Sequence, residues 1–279
     1  MKPVPFRYVV ARSLEEALAT LAEGGDDAKP LAGGQSLVPA LNLRLLRPEL
    51  LVDLNRAGLD GIVRENGSVR VGATTRQAEL ERSPHAHPLV REALPFVGHV
   101  VTRNRGTVGG SVAHADGAAE LPLCLVALGG EVVAEGPDGR RTFPAEELFV
   151  THYTTTLLPG ELLVETVWPV PGGGERSAFE ELALRGGDYA LAMAAAVLRH
   201  DRGVIREARV AVGAVTDHPT ALAEVEALLV GNAPSDELAH EAGALAATLV
   251  DPAGGIHATP AYLRHLTGVL VERAIRRAT

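Results

Sequence analysis

Lys29-Pro30-Leu31-Ala32-Gly33-Gly34-Gln35-Ser36-Leu37 reads as the end of a strand, a glycine pair, and a serine opening an apolar helix over residues 37–46. Two adjacent glycines let the backbone take positive φ and leave no Cβ in the way, so successive N–H groups can turn toward one anion. Ser36 as N-cap, with the free N–H groups and positive dipole end of a helix start, completes a cradle in which a diphosphate can sit without a lysine. Leu37, Leu41 and Leu45 are expected on the inward face of that helix. A strand–turn–helix connection with no ligand has the same pattern. A second copy occurs downstream as Thr107-Val108-Gly109-Gly110-Ser111, and two such loops suit a long ligand with two ends.

Working outward, the 279 residues are 46% hydrophobic with a net charge of −9, which gives a globular chain with room for two or three packed units. An acidic chain whose only basic cluster is Arg103–Arg105 is no nucleic-acid binder. The single Cys124 excludes a disulfide framework and any thiolate-held iron–sulfur cluster within the chain. No stretch approaches the roughly 18–20 apolar residues of a membrane span, and Met1–Pro5 lacks an apolar signal region, so the expected compartment is the cytoplasm.

Along the chain, Phe6–Ala11 reads as a strand and Ser13–Glu16 as a capping box before a helix that Gly24-Gly25 stops. Leu50–Leu54 returns as a strand, closing a small α/β unit over residues 1–57. Residues 58–171 change to short strands with hairpins at Asn66-Gly67 and Asp138-Gly139, interrupted by helices that include 118–128. Pro169–Gly174 is a linker. Residues 175–279 then give three strands and three helices, over 220–229, 235–250 and 260–278, with Thr259 as the last N-cap. Neither G-x-G-x-x-G after a strand nor a P-loop is present, so the double glycines alone carry any nucleotide reading.

AGGQSLVP at Ala32–Pro39, RNRGTVGGSVAHADGAAELP at Arg103–Pro122 and RGGDYALA at Arg185–Ala192, in that order, resemble the FAD-binding subunits of molybdenum-containing hydroxylases. Those are typified by the medium subunit of aerobic carbon monoxide dehydrogenase and the flavin domain of xanthine dehydrogenase, and the resemblance covers nearly the whole chain. It implies an α+β fold: a two-part FAD-binding domain of the vanillyl-alcohol oxidase type, followed by a three-stranded antiparallel sheet with a helix bundle. It implies FAD between the first two units, with the diphosphate on Lys29, Pro30, Leu31, Ala32, Gly33, Gly34, Gln35, Ser36 and Leu37, and on Thr107, Val108, Gly109, Gly110 and Ser111. Val97 and Leu163 match apolar pocket positions, although such residues are usually core.

Glu120 matches a carboxylate that accepts hydroxyls of the cofactor's sugar-alcohol chain, or else an acid favouring a helix start. Asp116 has the same two readings, N-cap foremost, and His114-x-Asp116 lacks the further ligands of a metal site. Tyr189 matches a tyrosine lying over the isoalloxazine, against the alternative of an interface tyrosine. Where xanthine dehydrogenase domains carry a lysine near the flavin pyrimidine, this chain has Glu180 and Glu181, which leaves the potential and final acceptor open. The resemblance implies an electron-transfer role with no catalytic residue of its own. The implied partners are a small subunit with two 2Fe–2S clusters and a large molybdopterin subunit, as a dimer of heterotrimers, feeding quinone, NAD or oxygen. A free-standing FAD oxidoreductase and a flavin-free interaction module are the alternatives.

Overall fold

The first sheet is parallel, and its connections set up everything around it; the computed structural model describes residues 2–279. β1 (Arg7–Val10), α1 (Leu14–Gly24), β2 (Ala28–Leu31), α2 (Leu37–Asn42) and β3 (Leu50–Asp53) follow one another, with strand order β1-β3-β2. Ser13 caps α1 by accepting the Glu16 N–H at 3.2 Å. The Glu16 carboxylate accepts the Arg12 N–H at 2.7 Å, one residue outside the usual reciprocal box.

The helix expected to reach Leu46 stops at Asn42. Arg44 turns left-handed at φ +58, its N–H donates to the Leu41 carbonyl, and the Leu45 N–H donates to the Ala40 carbonyl, which is a Schellman end. Leu41 is therefore buried while Leu45 is carried past the helix into solvent, 74% exposed, against the inward position its spacing predicts. Ser36 is not a side-chain cap either. The first helical bond runs from the Val38 N–H to the Gly34 carbonyl at 3.0 Å, so helical winding starts before Ser36, which itself sits in helical backbone conformation.

The second unit is an antiparallel sheet interrupted by helices. In order come β4 (Ile62–Glu65), β5 (Ser68–Gly72), α3 (Gln77–Arg82), α4 (Pro88–Ala93), α5 (Val100–Arg103), α6 (Val108–His114) and α7 (Glu120–Ala127). Then β6 (Glu131–Gly136), β7 (Gly139–Pro144), β8 (Phe149–Thr151), β9 (Thr154–Thr155) and β10 (Leu162–Pro169) complete it, with main-sheet order β4-β5-β10-β6-β7. Asn66 at φ +49 and Gly67 at φ +79 make the type I′ turn that the pair predicts. Every residue of α7 is buried, so this helix runs through the core and not across its surface. Residues of the first sheet, among them Leu50 and Val52, share an apolar cluster with Leu162, Val164 and Val167 of β10, which seals the two sheets together.

The C-terminal part consists of β11 (Glu175–Ala183), β12 (Ala190–Asp201), β13 (Val204–Gly213), β14 (Thr220–Ala221), α8 (Ala223–Leu229), α9 (Asp236–Leu249) and α10 (Pro260–Ala278). Its sheet has four strands, not the expected three. Thr220 and Ala221 pair with Val212 and Ala211, and the Leu222 N–H donates to the Val210 carbonyl at 2.8 Å, so helix α8 starts at Ala223 and not at Thr220. Ala192, Ala194, Ala196 and Leu198 pack in one cluster with α9 and α10. Met193, Ala195 and Val197 join the cluster of α7, which explains why β12 is an unbroken apolar run from Ala190 to Leu198 without a polar alternate.

Candidate cofactor site

A cavity of about 660 Å³ opens between the first glycine loop, the helices of the second unit and the β11–β12 turn. Lys29, Pro30, Ala32, Gly33, Gly34, Gln35, Ser36 and Leu37 line it on one side. Thr107, Gly109, Gly110, Ser111, Asp116 and Glu120 line it opposite, with Val97, Leu163 and Tyr189 toward the C-terminal sheet. Two of the residues expected there do not line it. Leu31 faces a smaller cleft behind the loop, and Val108 is fully buried in the core, its N–H bonded to the Thr75 carbonyl at 2.9 Å.

The two glycines of the first loop are needed for different reasons. Gly34 has φ +73, in the region L side chains avoid. A Cβ on Gly33 would overlap the Arg105 carbonyl oxygen and stand 2.9 Å from the Gly106 Cα. That close approach is braced: Asn55 donates to the Ala32 carbonyl at 3.0 Å, and Arg76 donates to Asn55 at 2.6 Å and to the Arg105 carbonyl at 2.5 Å. The N–H groups of Gly33, Gly34, Gln35 and Ser36 find no acceptor among the described residues. Four adjacent unsatisfied donors on one turn form an anion nest.

The second glycine pair is not a copy of the first. It lies in the opening turn of α6, where Thr107 is the N-cap and accepts the Gly110 N–H at 3.1 Å. The Gly109 N–H is taken by the Ala73 carbonyl at 2.9 Å, and the Ser111 N–H by the Thr107 carbonyl at 3.1 Å. With these amides engaged, the segment offers a smooth wall and the Ser111 hydroxyl in place of a donor cradle. Gly109 is required because a Cβ there would come 2.5 Å from the Ala73 Cβ, pushing α6 off β5.

Glu120 opens α7 at the cavity wall, 9% exposed, and its carboxyl has no hydrogen-bond partner from another side chain among the described residues. Burial, reinforced by the neighbouring Glu181 carboxyl, pushes it up to about 8. Asp116, expected as an N-cap, caps nothing: α7 starts after Ala119, and Asp116 instead accepts the Ala118 N–H at 3.0 Å in a local turn. Tyr189 stands at the cavity mouth, 72% exposed. Burial of its hydroxyl end, then the Asp116 and Glu120 charges, raise its phenol.

Sequence reasoning missed several lining residues. Gln77 is buried, and its Oε1 has no partner. Glu161 also lines the cavity and is held by Arg141 in a two-pronged pair at 2.8 Å, which lowers its carboxyl. Asn55 and Arg76 carry the brace without lining the cavity. Gln77 sits in an ordinary short amphipathic helix and Asn55 in a turn, so no local pattern marks either. Of the two glutamates at the position where a lysine was the alternative, Glu180 pairs with Arg277 of α10 at 2.7 Å. Glu181 lies on the opposite face of β11.

Taken together, the lining offers unsatisfied N–H donors with Lys29, a buried carboxyl, an amide oxygen without a partner among the described residues, and a largely exposed flat ring. That donor set fits an elongated ligand with an anionic centre, hydroxyls next to it and a planar ring beyond.

Comparison with known proteins gives the same direction. The family described as "FAD binding domain in molybdopterin dehydrogenase" matches residues 4–171, and the "CO dehydrogenase flavoprotein C-terminal domain" matches residues 177–278. The chain is 42% identical to the 6-hydroxypseudooxynicotine dehydrogenase complex subunit alpha of Paenarthrobacter nicotinovorans, over 100% of this chain and 96% of that protein. It is 37% identical to the carbon monoxide dehydrogenase medium chain of Hydrogenophaga pseudoflava, over 100% and 98%. The carbon monoxide dehydrogenase structure from that organism superposes with a TM-score of 0.97, covering 100% of this chain and 98% of the matched one.

Proposed function

The chain belongs to the family of FAD-binding subunits of molybdopterin dehydrogenases, and on that footing we propose that it holds one FAD noncovalently in the 660 Å³ cavity as an electron relay within a larger hydroxylase. The observation that carries this reading is the run of four unsatisfied N–H groups at Gly33–Ser36 opening onto the same cavity as Glu120 and Tyr189. The first loop binds the diphosphate through those amides, with Lys29 at its edge. Glu120 takes the sugar-alcohol hydroxyls, as an acceptor when ionised and also as a donor when protonated. Gln77 Oε1 supplies an acceptor for a donor group on the ligand. Tyr189 covers the ring at the mouth and limits what reaches it. Bound FAD supplies the chemistry of accepting an electron pair and releasing it to an acceptor.

This is the two-part arrangement of the vanillyl-alcohol oxidase type, and we divide the chain accordingly at residues 1–57, 58–171 and 175–279. The relatives carry the names of subunits and chains of enzymes for different compounds, among them dehydrogenases of carbon monoxide, glyceraldehyde and caffeine and a nicotine 6-hydroxylase. That spread supports placing substrate choice on another subunit. The partners are then a small subunit with two 2Fe–2S clusters and a large molybdopterin subunit, in a cytoplasmic dimer of heterotrimers. Among the described residues no helix is long and apolar enough to cross a membrane.

The test is to purify the complex and the isolated chain in parallel. Acid precipitation should release FAD into the supernatant from both. In stopped-flow, the flavin of the complex should bleach on adding the partner's substrate while the isolated chain stays oxidised. Direct reduction of the isolated chain would replace the relay by a free-standing oxidoreductase, and absence of flavin from both would leave the fold as an interaction module.

A further inference from the structure

Behind the cavity wall lie two carboxyl groups without a cation. Alternation along β11 assigns their sides: Ala178 joins the α9–α10 cluster, Phe179 the α7 cluster, Glu180 pairs with Arg277 of α10, and Glu181 therefore points toward α7. Its partner across β12 is Met193, which belongs to the α7 cluster as well. There the Glu181 Oε2 is buried with no hydrogen-bond partner among the described residues. On the same side of the sheet stands α7, whose first residue Glu120 feels the Glu181 charge and whose Cys124, one turn further on, is fully buried. Arg103, whose charge acts on Glu120, is committed elsewhere: it donates to Glu81 at 2.8 Å and to the Val97 carbonyl at 3.2 Å. Two buried carboxyls on one side of the sheet, neither paired with a cation among the described residues, cannot both be ionised at modest cost.

We propose that Glu120 and Glu181 act as a shared proton store for the bound cofactor, taking up a proton from solvent when two electrons reduce it and returning that proton on reoxidation. The inference rests on the FAD reading given above. The step balances simply: hydronium or a buffer acid gives up a proton and its conjugate base stays in solution, an O–H bond forms at a carboxylate oxygen, the electron pair stays on the cofactor, and the new bond breaks when an acceptor removes the electrons. Glu120 lines the cavity and so is the member of the pair next to the cofactor, while Glu181, whose Oε2 is buried, is the inner site.

Burial lifts Glu120 to about 8 and Glu181 to about 7, so at neutral pH the pair is part-filled and can respond to one more negative charge beside it. Asp116 adds negative charge to Glu120, and Arg103 opposes it weakly. Cys124 is held well above its usual range by burial, and Tyr189 is raised, so both stay neutral. Glu92, on the far side of Phe179, is tied to Arg277 and to the Phe179 N–H. A glutamate pair thus does by proton uptake what a fixed lysine does by permanent charge: it compensates the negative charge of the reduced ring.

The experiment is electrochemical reduction of the FAD-loaded full chain in weak buffer, counting protons taken up per flavin. E181Q should take up fewer than the parent, a loss of up to about one proton per flavin near neutral pH, and the two should coincide at about pH 5, where both carboxyls are already filled. Reduced-minus-oxidised infrared difference spectra of the unsubstituted chain give a second readout that needs no variant. They should gain the carbonyl stretch of a protonated carboxyl near neutral pH and lack it in acid. Equal proton counts at normal flavin content, or no carboxyl band, would overturn this inference and leave the FAD site standing. Absence of flavin from the unsubstituted chain would overturn the site itself.

Discussion

Replacing Gly33 by alanine is expected to damage both the protein and its flavin binding, for one geometric reason. The new Cβ overlaps the Arg105 carbonyl oxygen and approaches the Gly106 Cα to 2.9 Å, and both obstacles are backbone that cannot rotate away. Arg105 is moreover pinned by Arg76, which is itself tied through Asn55 to the Ala32 carbonyl, so the loop and its neighbour must separate as a unit. Overpacking of this kind costs about 1–3 kcal/mol. For a chain of this size that is a fall of about 2–10 °C in the Tm of the apo form. Separation also withdraws the Gly33–Ser36 amides from the anion. Losing one charge-assisted hydrogen bond, about 1.5–3 kcal/mol, weakens FAD binding by about 10- to 100-fold. The assays are thermal unfolding of the apo chain by circular dichroism and FAD titration by fluorescence. Gly110→Ala is the control: its Cβ meets the Thr107 hydroxyl at 2.5 Å and nothing else closer than 3.6 Å, so it should cost only the cap, about 1 kcal/mol. If Gly33→Ala keeps both the parental Tm and the parental affinity, the packing argument is refuted. If affinity falls at unchanged Tm, the glycine serves the ligand alone and the brace is irrelevant.

Tyr189→Ala should retain FAD and leave stability within about 0.5 kcal/mol, because the side chain is mostly exposed, while oxygen or sulfite reacts with the flavin faster; unchanged reactivity would remove its role as a cover. Glu120 is raised above its unfolded value, so the folded state holds its proton longer and apo stability should fall as pH rises from about 5 to about 8. Glu120→Gln should flatten that decline in a Tm-versus-pH series; an identical slope would show that the carboxyl is solvated. Gly109→Ala, whose Cβ would sit 2.5 Å from the Ala73 Cβ, should lower the apo Tm more than Gly110→Ala does, since it separates α6 from β5 and does not merely disturb a cap.

What the amino-acid sequence determines by itself here is whatever depends on neighbours along the chain. The Asn66-Gly67 hairpin, the Ser13 and Thr259 caps and the start of α10 at Pro260 each rest on φ preferences or side-chain reach within three or four residues, and they are legible without any tertiary information. The family itself is legible in the same way, because its glycine loops and the Arg185–Ala192 stretch are contiguous strings. Tertiary structure decided what those strings could not carry. The two glycine pairs look alike in sequence, yet one keeps its amides free and the other gives them to the Ala73 carbonyl and the Thr107 side chain, because only the second is pressed against β5. Leu45 has helical spacing, but a left-handed residue at Arg44 ends the helix first. Thr220 and Ala221 become strand because β13 offers an open edge, whatever their own preference. Glu181 looks like any charged residue on a half-buried strand, and its burial on the side of α7 exists only once α7 is packed on β12, the neighbour of β11. Local geometry is written in adjacent residues, whereas the partner of a polar atom is chosen by packing across the fold.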